Sequence, residues 1–182
     1  MTTTFEQVLG DLEAEQAALE RVLNATPPIA WDLPTHAPGW SVRDQVSHLA
    51  FFDEAATLAI RRPLAFMDEV KASRERGADQ EGRYLEHGRS LSPHGVLDWW
   101  RNASGNLVAA ARDLDPGARL PWYGPPMGGI SFLSARLMET WSHGLDVVDV
   151  THIERPDTDR LRHVAFIGVR TRPFSYTNRG LE

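Results

Sequence analysis

The chain has 182 residues, 42% of them hydrophobic and 24% charged, a balance that suits one folded domain with a sizeable core. Its 19 basic and 25 acidic residues give a formal charge of −6 with no basic cluster, so the positive field that a nucleic-acid partner requires is missing. It contains no cysteine, which excludes disulfides, thiolate metal ligands and a cysteine nucleophile.

The first sixteen residues, MTTTFEQVLGDLEAEQ, lack the basic start and apolar stretch of a signal peptide. No uncharged run is long enough to cross a bilayer, so a cytoplasmic location without a membrane partner is expected. Phe5, Val8, Leu9, Leu12, Leu19, Val22 and Leu23 follow helical spacing and predict a first helix, capped by Thr3 or Thr4 and stopped at Pro27-Pro28. The proline-rich IAWDLPTHAPGW reads as an ordered loop, with Trp40 a hydrophobic staple for the next helix. That second helix opens at Ser41-Val42-Arg43-Asp44, close to a capping box, and runs to about Arg61 before Pro63. A third is expected from Leu64 to about Arg76, followed by a polar stretch, GADQEGRYLEHGR. Ser92-Pro93 starts a fourth, ending near Asp113. LDPGARLPWYGPPMGG is a proline- and glycine-rich loop; Ser131 begins a fifth helix to about Val150, and a last one runs from Asp159 to about Thr171. No repeat and no alternating strand run stands out, so a helical bundle with long loops is the economical architecture.

On the fifth predicted helix, Glu139, His143 and Asp146 fall at i, i+4 and i+7 and share one stripe with Phe132 and Val150. A carboxylate on an inward stripe is costly unless its charge is compensated. A divalent cation shared with His143 would do this; a hydrogen-bonded pair at a bundle edge would also, and the spacing leaves both open. On the second helix, His48 lies at the edge of the apolar arc, beside Gln45, Phe52 and Ala55. If the two helices are neighbours, His48, Glu139 and His143 form a two-histidine, one-carboxylate set with a coordination position left for water or substrate. His36, His87, His94, His152 and His163 read as surface or capping residues.

PGWSVRDQVSHLAFFDE and ARLMETWSHGLDVVD resemble the two signature segments of the DinB-like, mycothiol-dependent maleylpyruvate isomerase superfamily, in its actinobacterial metal-binding branch. The tryptophan-proline loop, YGPPMGGISF and RLRHVAFIGVRTRPFSY extend the likeness over most of the chain. The resemblance implies an all-α DinB-like four-helix bundle with long loops and an additional C-terminal helix. It also implies His48, Glu139 and His143 as ligands of a divalent metal, zinc first, with nickel, iron and manganese also suited to such donors. Relatives continue into a C-terminal region that supplies a substrate-binding arginine; no residue here matches it, and residues 1–182 are expected to be one domain without that region.

The chemistry so implied is activation of a low-molecular-weight thiol, mycothiol by resemblance, for transfer to an electrophile or for cis–trans isomerisation. Asp146 would orient a ligand or stand as a surface acid, and Trp122 and Tyr123 would wall the pocket. Metal-assisted hydrolysis and a non-catalytic metal-binding or dimerisation module are the competing expectations. Broad apolar faces and six tryptophans leave room for a homodimer.

Overall fold

Thr4 and Ser41 start the first two long helices by one device. In helix α1 (Phe5–Ala25), Thr4 accepts from the Gln7 amide at 3.2 Å while the Gln7 side chain accepts from Thr4 N at 3.0 Å. In α2 (Val42–Arg61), Ser41 and Asp44 repeat this reciprocal cap. The structure, a computed structural model, describes residues 3–75, 77 and 80–180.

Ser92 caps α5 (Pro93–Arg112) by accepting from Gly95 N at 3.1 Å, with Pro93 in the first turn where its missing N–H costs nothing. Helix α6 (Gly129–Thr151) ends where His152 turns left-handed, at φ 55°. These four helices make the bundle: α2 packs along α5 and α1 along α6, with α2–α6 and α1–α5 contacts closing it. Leu12, Leu107, Phe132 and Leu137 fill one end of the core, and Leu23, Val46, Trp100 and Val147 the other. Helices α3 (Pro63–Glu75) and α4 (Gln80–Ser90) lie against α2, while α7 (Leu161–Asn178) lies against α6. Among the described residues no helix is long and apolar enough to cross a membrane.

The structure departs from the sequence expectations at several points. The polar stretch after α3 contains α4, whose sequence QEGRYLEHGRS has no apolar stripe and which is held by contacts to α2. The proline- and glycine-rich loop contains a two-residue antiparallel ladder, β1 (Arg119–Leu120) with β2 (Met127–Gly128), too short for alternation to reveal. Helix α7 continues through Pro173 past the expected stop near Thr171. The expected end of the third helix, Arg76, lies outside the described residues. His163 is not a surface residue: it is 2% exposed, with Nε2 2.7 Å from Asp11 Oδ2 of α1.

That contact belongs to a polar seam fastening the end of the chain to α1. Buried Glu15 meets Arg160 Nε at 2.7 Å and Arg155 Nη1 at 3.4 Å, and Arg155 Nη2 donates to the Trp141 carbonyl at 2.7 Å. Gly144 makes room for this, since a Cβ there would stand 2.1 Å from Arg155 Nη1. Gly144→Ala is therefore expected to destabilise by about 1–3 kcal/mol through overpacking, although alanine is intrinsically the better helix former. A urea titration checks this; a stabilised variant would mean that Arg155 moves aside freely.

Candidate metal centre

The neighbouring of α2 and α6 brings His48, Glu139 and His143 together. His48 Nε2 lies 3.3 Å from Glu139 Oε2, and His143 Nε2 lies 3.1 Å from the same oxygen. The two imidazole centroids are 4.2 Å apart, and one donor atom from each of the three residues falls within 4.8 Å of the other two. Their side chains are 15%, 30% and 19% exposed in that order, so Glu139 is the most exposed of the three.

The outer nitrogens are also held. His143 Nδ1 bonds to Gln45 Oε1, and Gln45 Nε2 donates to Asp146 Oδ2 at 2.7 Å and to Thr35 Oγ1 at 2.9 Å. An Asp146 carboxylate can only accept, which fixes the Gln45 amide with its oxygen towards His143. His143 must then carry its proton on Nδ1, because an amide oxygen donates nothing. A neutral His143 so oriented points the Nε2 lone pair at the Glu139 carboxylate, and only a proton or a cation between them relieves the repulsion. His48 Nδ1 meets the Tyr84 hydroxyl at 3.2 Å, a partner able to donate or accept.

Burial pushes the His48 imidazole below its ordinary value, with the Glu139 hydrogen bond opposing only in part. For Glu139, burial alone would raise the carboxyl. A proton standing between His143 and the carboxylate, the His48 hydrogen bond and the Arg136 charge outweigh it and hold the group well below the usual carboxylate range. An ionised carboxylate and a neutral imidazole are the states a metal ligand needs. Two donors on a tetrahedral zinc ion, with bonds of about 2.0 Å, stand roughly 3.3 Å apart. The two spacings to Glu139 Oε2, 3.1 and 3.3 Å, match that and the three donor atoms lie within 4.8 Å of one another, so the donor set suits such an ion.

Other expected site residues stand one layer away. Asp146 reaches His143 through Gln45 rather than directly. Trp122 stacks on Phe66 at 5.6 Å and Tyr123 meets Phe52 at 5.6 Å; Phe52 in turn packs on His48 at 4.5 Å. Trp40 is no staple, for the position a staple would meet is Gln45, which is polar. Its ring stacks on His143 at 5.9 Å and lies 5.4 Å from His48, anchored by Nε1 donating to Glu81 Oε1 at 3.0 Å. Sequence reasoning did not assign Tyr84 or the pair Arg136–Asp53. The latter had a signal, since two charges on otherwise buried helix faces imply a partner for each. Beyond Tyr84, between α2, α3, α4 and α5, is a cavity of about 850 Å³ lined by Phe51, Phe66, Tyr84, Trp99 and Tyr123 among others.

Residues 12–148 match the family model of the mycothiol maleylpyruvate isomerase N-terminal domain, a span that includes all three donors. The chain belongs to that family. It is 37% identical over 168 residues to uncharacterized proteins from two strains of Mycobacterium tuberculosis, CDC 1551 / Oshkosh and ATCC 25618 / H37Rv. Each alignment covers 92% of this chain and 65% of the relative, so the chain spans somewhat under two thirds of these curated proteins. A crystal structure of the mycothiol-dependent maleylpyruvate isomerase superposes with a TM-score of 0.70 at 16% identity, covering 100% of this chain and 76% of that one. A mutant of that isomerase gives 0.65 at 16%, covering 90% and 71%. At this identity the two structures establish the all-α fold that this family member shares.

Proposed function

We propose that this chain is a metal-binding domain of an enzyme of the mycothiol-dependent isomerase or thiol S-transferase type, with His48, Glu139 and His143 as ligands. The observation that carries the reading is the fixed orientation of the His143–Gln45–Asp146 chain, which leaves an imidazole lone pair facing a carboxylate. Family membership supports the choice of a thiol over water as the activated group.

A zinc or similar divalent ion bound there would supply Lewis acidity to the sulfur of a low-molecular-weight thiol, favouring its thiolate. The chain's own residues do the rest. Glu139 offers the anionic oxygen, His48 and His143 offer neutral nitrogens, and Asp146 acts through Gln45 to hold the His143 ring. Three protein donors leave room for an incoming sulfur. Trp40 and Phe52 cover the two imidazoles and keep water from their faces. The chain has no cysteine, so the nucleophile comes from the cosubstrate. We place residues 1–182 in one domain, and the activity, substrates and partners of a whole protein of the relatives' length belong to this same proposal.

The test is an assay of zinc-loaded protein with mycothiol and either maleylpyruvate or a thiol-reactive electrophile. Thiol-dependent turnover that disappears on chelation is expected. Hydrolysis without thiol, or zinc binding with no turnover of either kind, would overturn the reading.

A further inference from the structure

Helix α4, which has no apolar stripe, is fastened to α2 at successive points along one line. Arg89 donates to Asp44 from Nε and Nη2, both at 2.9 Å. Gly88 sits on Ser47, where an added Cβ would fall 1.8 Å from Ser47 Oγ and 2.7 Å from its Cβ. Ser47 cannot readily retreat, being fully buried with its hydroxyl donating to the Arg43 carbonyl at 2.8 Å. One turn before Gly88 on α4 is Tyr84; one residue after Ser47 on α2 is His48. The close approach at Gly88 thus brings the phenol to the imidazole. Tyr84 is 6% exposed and its ring stacks on Phe51 at 5.0 Å, with edges towards Phe52 and Trp40.

The two histidines differ in their outer partners. Gln45 Oε1 can only accept, so the His143 proton stays on Nδ1. A phenol can turn its hydrogen either way. With no cation present, the Tyr84 hydroxyl donates to His48 Nδ1 and Nε2–H donates to Glu139. With a cation on Nε2, the single imidazole proton stands on Nδ1 and donates to the phenol oxygen. The imidazole carries one N–H in both states, and no heavy atom has to move.

We infer that Tyr84 is a positioning residue for His48, its hydroxyl holding the ring in place through both tautomers so that Nε2 is presented to a metal at no cost in rearrangement. The inference rests on the proposed metal site. It goes further in giving α4 a role there and in making the two imidazoles unequal: one locked, one able to exchange its proton between nitrogens.

Tyr84→Phe removes the hydroxyl and keeps the ring stacked on Phe51. Zinc titration by calorimetry is expected to show an affinity about 10–100-fold below wild type, the usual effect of losing an outer partner of a ligating histidine. Circular dichroism of the metal-free variant should show an unchanged helix content. In zinc-loaded wild type, proton–nitrogen NMR should show a His48 Nδ1–H protected from solvent exchange. The variant should lose that protection while His143 keeps its own. Gly88→Ala, which pushes α4 away from α2, should reproduce the affinity loss with Tyr84 intact. Equal zinc affinity in Tyr84→Phe and wild type would overturn the role of Tyr84 and leave the metal site standing. A variant whose affinity falls only along with its helix content would also overturn it. Absence of zinc binding by the wild type would sink both the inference and the metal site beneath it.

Discussion

His48→Ala and Glu139→Ala are each expected to lower zinc affinity by more than about 100-fold, beyond the range reached by altering an outer partner. The reason is geometric. The two imidazole nitrogens meet one carboxylate oxygen at 3.3 and 3.1 Å, and removing either His48 or Glu139 leaves two protein donors where an open catalytic site uses three. The loss should be larger for Glu139, because it also removes the anion that balances the cation. Neither change should unfold the bundle, since both side chains lie at a partly open surface and not among Leu137, Phe132 and Leu107. Calorimetric titration with zinc, beside a thermal melt of each metal-free variant, measures the two effects separately. An affinity unchanged from wild type in either variant would remove that residue from the ligand set.

A second large effect is expected deeper in the core. Asp53 is fully buried on α2 and its Oδ1 accepts from Arg136 Nε at 3.0 Å and Nη2 at 2.9 Å; Arg136 is itself 3% exposed. Burial pushes the Asp53 carboxyl up, and the Arg136 guanidinium pulls it down. Asp53→Ala strands the Arg136 charge in the interior, and breaking a buried pair from one side costs about 3–5 kcal/mol. The consequence extends to the site. Arg136 precedes Glu139 by one helical turn, and its charge already helps hold that carboxyl ionised. Without Asp53 the guanidinium keeps Glu139 as a counter-charge, in competition with a metal. Denaturant unfolding should show the stability loss, with zinc affinity falling beside it. The double replacement Asp53→Leu with Arg136→Met should recover most of the stability, because apolar substitutes for a buried pair are often neutral. A single variant as stable as wild type would show that Arg136 finds water or another anion readily.

The features legible in the sequence are those whose signals are local. Capping residues Thr4, Ser41 and Ser92 and long apolar stripes announce α1, α2 and α5, and the stripe through Phe132 and Glu139 announces α6. The convergence of His48, Glu139 and His143 is legible because residues four apart on a helix share a face and because the segments resembling the family signature contain all three. The rest depends on contacts far apart in the chain. Helix α4 shows no apolar stripe in sequence and is held by Gly88 against Ser47, Arg89 against Asp44 and the buried Tyr84 and Leu85. Tyr84 therefore could not be assigned to a site 36 residues away. Trp40 looked like a staple because only its neighbours in sequence were visible, whereas its ring lies over imidazoles from two helices. The last helix is expected to end near Thr171, yet α7 passes through Pro173 to Asn178.

Three side chains from two helices forming one metal-ligand set is the proposition on which the chemistry depends. X-ray absorption of the zinc-loaded protein in a non-chelating buffer, with metal content determined on the same sample, tests it most sharply. One zinc per chain is expected, with two imidazole nitrogens and oxygen donors at about 2.0–2.2 Å. A preparation that takes up no stoichiometric zinc, or one whose bound zinc shows no imidazole scattering, would contradict it.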